Sequence, residues 1–176
     1  PELPFEINCL EITENQQEFA FDGFRMKAFR VNHSVICYGY SFMVDRAGRF
    51  DKERAEEQQI PMKYWGRLQK GETIEEAGRI YTPDMVLGAA RKGLKVTYCT
   101  DTRPTESIVE NAVGADLLVL EGMYGEADKL AKAKENKHMT MYEAARIAKA
   151  AQVPELWLTH YSPSLTHPEE FLGEVR

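Results

Sequence analysis

The sequence is poor in the residues and segments that mark disulfide-rich, zinc-finger and membrane proteins. Its 176 residues include only 3 cysteines, Cys9, Cys37 and Cys99, and none of them forms a CxxC pair. A sparse and odd number of thiols argues against a disulfide framework and for a reducing compartment, so we expect a cytoplasmic protein. No apolar run approaches the roughly 20 residues that span a bilayer, and no signal peptide opens the chain, so we expect no membrane partner.

The chain also lacks the positive charge that is typical of nucleic-acid-binding proteins. Its formal net charge of −6 does not favour bulk electrostatic binding of nucleic acid, although a metal site or a local basic patch can hold phosphate on an acidic protein. The 43% hydrophobic content is typical of a soluble globular domain. Pro1 is not an initiator methionine, and the chain stops at Arg176 just after a predicted helix. We therefore expect both ends to be cut from a longer protein.

The order of predicted strands and helices indicates an α/β fold. The first quarter reads as an antiparallel meander, because alternating or β-rich stretches surround the hairpin signal Asp22-Gly23. The predicted strands cover residues 5–12, 16–21, 24–31, 34–44, 95–100, 116–121 and 155–159, and the predicted helices cover residues 105–112 and 140–152. Thr105 is a predicted N-cap, and Thr140 with Glu143 forms a capping box.

Residues 45–76 differ from their surroundings because they are rich in charge. The basic residues there are Arg46, Arg49, Lys52, Arg54, Lys63, Arg67 and Lys70, and they stand among acids. Short helices are predicted over residues 51–59 and 63–68. This segment is either a solvated insertion or an arm that touches a charged partner, and the composition alone leaves both interpretations open.

Five polar residues occupy positions where active-site residues gather in α/β proteins. Asp101, Glu121 and His160 each follow a short apolar strand, His33 opens the long strand, and His138 precedes the last predicted helix. Two histidines and a carboxylate can bind zinc or manganese. Taken singly, each has an ordinary alternative: Asp101 can be an N-cap, Glu121 a turn residue, and a histidine a surface or core residue. Only their joint placement favours a metal-dependent hydrolase site.

Five stretches then resemble, in the right order, the motifs of the ribonuclease Z family, transfer-RNA 3′-processing endonucleases of the metallo-β-lactamase superfamily. Tyr98–Pro104 and Leu158–Pro163 are similar to two hallmark stretches of that family. The other three are Val31–Ser34 leading to Tyr38-Gly39-Tyr40, Lys137–Thr140 and Val119–Glu121, which resemble its third metal motif, its His-Ser-Thr stretch and its His-Glu stretch. The resemblance implies an α/β fold that is part of an αβ/βα sandwich, with residues 45–76 as an inserted exosite arm.

The resemblance also implies roles for single residues. Asp101 would bridge two zinc ions, His33 would ligate one and His160 the other, and manganese could replace zinc. His138 would donate a proton to the departing 3′ oxygen, with Glu121 orienting it. Arg103 would either brace the Asp101 loop or contact a phosphate. The implied reaction is removal of 3′ trailers from precursor transfer RNA, by a homodimer in which the arm of one subunit serves the site of the other.

Several departures from the family pattern limit this expectation. The His-x-His-x-Asp-His motif, which supplies most metal ligands and the general base, is not in these residues, so we expect the chain alone to bind metal weakly and to be inactive. Ile60–Lys63 stands where the Gly-Pro arm signature belongs, Leu120 replaces a histidine, and Ser164-Leu165 replaces an Arg-Tyr pair. His167 matches no motif and is a predicted surface residue.

Two other functions stay open at this point. One is a metallo-β-lactamase-type hydrolase of small phosphodiesters or esters, which would keep the metals without gripping RNA. The other is a non-catalytic RNA-binding or dimerisation module.

Overall fold

The computed structural model describes residues 4–125 and 129–174 and divides the chain into two compact units. The larger unit comprises Pro1–Val44 and Leu94–Arg176, and the smaller unit is Asp45–Gly93. In chain order the elements are β1 (Gln16–Phe21), β2 (Phe24–Arg30), β3 (Tyr38–Arg46), α1 (Lys52–Glu57), α2 (Met62–Gln69), β4 (Ile74–Glu76), β5 (Arg79–Tyr81), β6 (Arg91–Cys99), α3 (Glu106–Ala112), β7 (Leu117–Glu121), α4 (Leu130–Glu135), α5 (Met141–Ala150) and β8 (Leu156–Thr159), with short 3-10 helices at Pro83–Met85 and Pro168–Glu174.

A six-stranded sheet in the order β1-β2-β3-β6-β7-β8 organises the larger unit. The first three strands pair antiparallel, which confirms the predicted meander. The turn between β1 and β2 is Asp22-Gly23, and Gly23 has a φ of +86°, a conformation that glycine adopts without steric cost. Strands β6, β7 and β8 pair parallel, so their carboxyl ends meet at one edge of the sheet.

The core of the larger unit lies between one face of this sheet and the helices α3 and α5. Its buried side chains include Phe29, Ile108, Leu118, Leu120 and Ile147. The capping box of α5 forms as predicted: the Glu143 N–H donates to Thr140 Oγ1, and the Glu143 carboxylate accepts the Thr140 N–H. This packing makes β7, β8 and α5 a rigid platform for the loops at the strand ends.

The opposite face of the sheet carries exposed aromatic rings. Ser41 and Thr97 are buried on the helix-covered face, so their sequence neighbours Phe42 and Tyr98 point the other way. Phe21 stacks on Phe24 with ring centroids 4.8 Å apart, and Phe24 contacts Phe42 at 6.5 Å. All three rings remain more than a third exposed.

The smaller unit has its own apolar cluster. Helices α1 and α2 and the β4–β5 hairpin surround the buried residues Ala55, Ile60, Tyr64, Leu68, Ile74, Tyr81 and Val86. Both predicted short helices are present, and Asp51 caps α1 by accepting the Arg54 N–H at 3.0 Å. The β4–β5 hairpin was not predicted. The unit begins at Asp45, where the composition changes, and continues beyond Glu76 to Gly93.

Two local predictions were wrong. Residues 5–12 form no strand, and Phe5, Ile7 and Leu10 are exposed, because alternation produces a strand only where another strand pairs with it. Residues 34–37 precede β3 rather than belonging to it. Thr105 is the N-cap residue of α3 as predicted, but its side chain makes no capping hydrogen bond, since its hydroxyl bonds to Ser107 Oγ instead. Across the described residues, none of the helices combines the length and apolarity needed to cross a bilayer.

Candidate metal centre

The carboxyl ends of β6, β7 and β8 place Asp101, Glu121 and His160 at the same edge of the sheet. Asp101 comes two residues after β6, Glu121 is the last residue of β7, and His160 directly follows β8. Asp101 and His160 have φ angles of +55° and +54°. Non-glycine residues with positive φ are uncommon, and such backbone strain clusters at functional sites. The sharp turn at each strand end directs these two side chains toward one another.

Asp101 and His160 face each other across a short gap. His160 Nε2 lies 3.6 Å from Asp101 Oδ1, which is too long for a good hydrogen bond. Both side chains are about two-fifths exposed. His160 Nδ1, in contrast, is buried and has no hydrogen-bond partner among the described residues. A buried ring nitrogen without a partner is costly, and such a group is expected where a ligand completes the site.

His33 is held by Lys137, a contact that sequence reasoning missed. His33 Nδ1 lies 3.1 Å from the Lys137 carbonyl oxygen, and Lys137 Nζ donates to the His33 carbonyl at 3.2 Å. A carbonyl only accepts, so Nδ1 carries the proton and Nε2 keeps its lone pair. This is the arrangement in which a second partner fixes the tautomer of a metal-binding histidine.

Glu121 is fully buried and accepts hydrogen bonds from both sides. Its Oε1 accepts the Thr102 N–H at 2.7 Å, and its Oε2 accepts the Met139 N–H at 3.2 Å. Burial raises the pKa of Glu121 to about 7, although these two backbone N–H groups act in the opposite direction. The carboxyl therefore links the loop after β6 to the loop before α5.

His138 lies at the centre of the histidine cluster. Its Nδ1 is 3.0 Å from Glu121 Oε2, and its ring centroid is 5.2 Å from that of His33 and 5.5 Å from that of His160. Burial and the neighbouring His33 lower the pKa of His138, while Asp101 raises it. The Glu121 contact matches the orienting role that the resemblance implied for that residue.

Two overlapping groups of side chains have donor atoms close enough to hold a metal ion. In the first group, one ligand atom from each of His33, Asp101 and His138 lies within 4.8 Å of the others. In the second group, the same holds for Glu121, His138 and His160. His138 belongs to both, so the geometry allows it to be a ligand as well as the predicted proton donor. The imidazole and carboxylate donors suit a borderline divalent ion, and together with the unpartnered Nδ1 of His160 they fit a metal.

Arg103, predicted either to brace the Asp101 loop or to contact a phosphate, points toward α5. Its Nη1 donates to Glu143 Oε2 at 2.9 Å and also to the His138 carbonyl oxygen, and its Nη2 donates to Glu143 Oε1. His167, predicted to lie at the surface, is exposed, and its ring nitrogen Nδ1 lies 3.2 Å from Glu169 Oε1.

Comparison with known proteins identifies relatives of the whole chain. A family model described as "Beta-lactamase superfamily domain" matches residues 70–161. The chain is 60% identical over 176 residues to the Ribonuclease Z of Agathobacter rectalis, and 57% identical over 176 residues to the Ribonuclease Z of Lachnoclostridium phytofermentans. Each alignment covers 100% of this chain and 58% of the relative, so the chain spans little more than half the length of these proteins.

Two solved structures share the fold. The short form of human tRNase Z matches with a TM-score of 0.53 and 23% identity, covering 86% of this chain and 42% of that one. The metallo-beta-lactamase fold protein YhfI from Bacillus subtilis matches with a TM-score of 0.55 and 21% identity, covering 93% of this chain and 46% of that one. These findings confirm the resemblance to ribonuclease Z and the predicted fold class, a partial metallo-β-lactamase fold.

Proposed function

The chain belongs to the beta-lactamase superfamily, and from this premise we propose that it forms the C-terminal part of a metal-dependent endoribonuclease that removes 3′ trailers from precursor transfer RNA. One observation carries the proposal: two overlapping groups of side chains from distant segments, His33 with Asp101 and His138 and Glu121 with His138 and His160, each bring ligand atoms within 4.8 Å of one another. Relatives named Ribonuclease Z at 60% and 57% identity support RNA as the substrate class.

In the proposed site, His33, Asp101 and His160 would hold zinc, with manganese as the alternative metal. A bound ion of this kind supplies an acidified water and positive charge beside the scissile phosphate. The Lys137 carbonyl oxygen accepts a hydrogen bond from His33 Nδ1–H, which leaves the Nε2 lone pair of His33 free. The protonation of the departing 3′ oxygen depends on where the side chains of this chain hold a proton.

His138 is the proposed general acid. Its Nδ1 donates to Glu121 Oε2, and its Nε2 carries the proton that passes to the departing 3′ oxygen. Burial and the neighbouring His33 oppose a charged imidazole, whereas Asp101 favours the protonated form. Since Glu121 is itself fixed by the N–H groups of Thr102 and Met139, it orients the ring.

We further propose that these residues alone bind metal weakly and do not catalyse the reaction. The chain contains four histidines, and His167 lies outside the cluster. A catalytic zinc ion takes about three protein ligands, so two ions need more donors than His33, Asp101 and His160 provide. Calorimetric titration of the 176-residue chain with Zn²⁺ tests this, and tight binding of two ions would contradict it.

A chimera tests the activity itself. The segment of the Agathobacter rectalis Ribonuclease Z that aligns with residues 1–176 is replaced by this chain, and the product is assayed on a precursor transfer RNA and on a small phosphodiester. We expect cleavage of both, and we expect His33→Ala and Asp101→Ala to abolish it. His167→Ala is the matched control and keeps full activity. Hydrolysis of the small substrate alone would favour a small-ester hydrolase, and RNA binding that is independent of metal would favour a non-catalytic module.

The proposal also covers a role for residues 45–76 as an RNA-binding arm, an oligomeric state and a cellular compartment. Residues 45–76 are proposed to grip transfer RNA, in a homodimer that works in the cytoplasm. Deleting residues 46–76 from the chimera should abolish transfer-RNA cleavage while hydrolysis of the small phosphodiester survives. Equal loss of both activities would argue against a role of this segment in gripping the RNA.

A further inference from the structure

We propose that Arg103 is a positioning residue that fixes His33, Asp101 and His138 relative to one another, through its ion pair with Glu143. The inference rests on the proposed function only for the purpose of holding these three residues in place, and the positioning itself does not depend on it. Its geometric basis is a set of hydrogen bonds that join three segments far apart in the sequence.

The backbone of Arg103 ties the Asp101 loop to the residue before His33. The Arg103 N–H donates to the Asn32 carbonyl at 2.9 Å, and the Asn32 N–H donates to Thr102 Oγ1 at 3.1 Å. Thr102 is fully buried whereas Asn32 is exposed, so this two-way link is partly shielded from water. His33 and Asp101 therefore cannot move apart without breaking these two hydrogen bonds.

The side chain of Arg103 ties the same loop to His138. Its guanidinium donates to the His138 carbonyl oxygen and to both carboxylate oxygens of Glu143. The side chains of Arg103 and Glu143 are only 14% and 16% exposed. Charge-assisted, two-pronged pairs of this kind combine strength with a fixed orientation, and the screening that weakens surface pairs is small here.

Glu143 is a fixed anchor because it also caps α5. Its Oε2 accepts the Thr140 N–H at 3.1 Å, and its own N–H donates to Thr140 Oγ1 at 3.2 Å. The carboxylate therefore belongs to the first turn of a helix that packs against β7 and β8. Through it, Arg103 fastens the Asp101 and His138 loops to the rigid part of the larger unit.

The arrangement requires arginine specifically. The planar guanidinium reaches the carboxylate and the His138 carbonyl at once, whereas the single ammonium of lysine cannot reproduce that fork. The sequence left two roles open for Arg103, a brace or a phosphate contact. A brace acts before any RNA binds, and a phosphate contact acts only with RNA present.

The experiment records the imidazole nitrogen NMR signals of the ¹⁵N-labelled 176-residue chain at one pH, without metal and without RNA. Both Arg103→Met and Arg103→Lys keep the backbone link to Asn32 but disturb the side-chain bond to the His138 carbonyl. Both should therefore shift the signals of His138 and, through its bond to the neighbouring Lys137 carbonyl, of His33. Arg67→Met is the matched control, because Arg67 forms an exposed pair with Glu72 at 2.7 Å, and it should leave both rings unchanged. His167 is an internal reference that no variant should move. In the chimera, Arg103→Lys should weaken zinc binding roughly 10–100-fold.

Clear outcomes overturn the inference. A folded Arg103→Met chain with unchanged His33 and His138 signals would do so, as would shifts that appear only after RNA is added, or equal shifts in Arg67→Met. If Arg103→Met does not fold, Glu143→Gln replaces it, because glutamine can keep the capping box while losing the charge. Unchanged histidine signals in Glu143→Gln, with α5 intact, would likewise overturn it. The metal-free readout separates failure of this inference from failure of the proposed enzyme activity.

Discussion

The two units of this chain hold their charged side chains in opposite ways. In the larger unit, Glu121 is fully buried and the Arg103–Glu143 pair is nearly so. In the smaller unit, the pairs Lys63–Glu76 and Arg67–Glu72 leave every partner about half exposed. Buried charges are costly when one partner is lost, whereas surface pairs contribute little. Charge therefore specifies geometry in the larger unit, whereas the ion pairs of the smaller unit contribute little to its fold.

The two tryptophans make this comparison measurable, since each unit contains one. Trp65 is partly buried and donates to the Ile60 carbonyl at 2.9 Å, and Trp157 is in β8. Trp157→Phe leaves fluorescence that reports on the smaller unit, and Trp65→Phe leaves fluorescence that reports on the larger one. The variants below are studied in both backgrounds.

The largest expected effect is that of Glu121→Leu. It leaves the N–H groups of Thr102 and Met139 and the ring of His138 without their acceptor, so the free energy of unfolding of the larger unit should fall by about 3–5 kcal/mol. Urea titration followed by Trp157 measures the loss. Glu121→Gln, which keeps one acceptor oxygen, is the control and should lose less. A loss under about 1 kcal/mol for the leucine variant would remove the contrast between the units.

Leu68→Ala is the counterpart in the smaller unit. Leu68 is fully buried in the apolar cluster, and truncating such a residue costs about 2–5 kcal/mol. The Trp65 signal should show the full loss. Leu68→Met, which nearly conserves volume, should cost less than about 1.5 kcal/mol. An equal loss for both substitutions would mean that packing at this position does not carry the unit.

Thr140→Ala tests the capping box of α5 without removing a charge. Loss of the N-cap hydroxyl should cost about 1 kcal/mol, read by Trp157 fluorescence. Thr140→Ser retains the hydroxyl and should restore most of it. Failure of serine to restore stability would place the effect in the threonine methyl group instead of the cap.

The smallest expected effect is that of Lys52→Met. Lys52 pairs with Glu56 at 3.4 Å one helical turn away, and both side chains are more than half exposed. Pairs of this kind stabilise a helix by about 0.3–0.5 kcal/mol, and salt screens them. The difference from the parent chain should therefore disappear at high ionic strength. A loss that persists there would show a packing role for the lysine stem.

Sequence patterns predicted where the candidate site residues lie better than they predicted the contacts that hold them. Asp101 and His160 could be placed because polar residues after apolar strands meet at one sheet edge. The hydrogen-bond partner of His33 could not be predicted, since Lys137 is 104 positions away and acts through its backbone carbonyl. The bonds from Thr102 and Met139 to Glu121 are also backbone contacts, which no side-chain pattern reveals. The role of Lys137 could therefore be identified only from the structure.

The fold shows the same division. Hairpin β1–β2 was predictable from Asp22-Gly23, whereas hairpin β4–β5 was missed because Ala77, with a φ of +52°, occupies a turn position where alanine is unusual. Residues 5–12 show the opposite error, since their alternation is clear but no strand pairs with them in the described structure. Local sequence signals predict an element correctly where the chemistry of neighbouring residues determines it. They fail where pairing with another strand determines it.

The aromatic face of the sheet has a consequence for the behaviour of the folded chain in solution. Phe21, Phe24 and Phe42 form a contiguous apolar surface that water contacts directly. Sulfate and similar salts strengthen apolar association, while they screen the repulsion that a net charge of −6 provides. The folded 176-residue chain by itself should therefore precipitate at lower sulfate concentrations than a chain of equal size and charge without such a surface, and an environment-sensitive fluorescent dye should stain it before it unfolds.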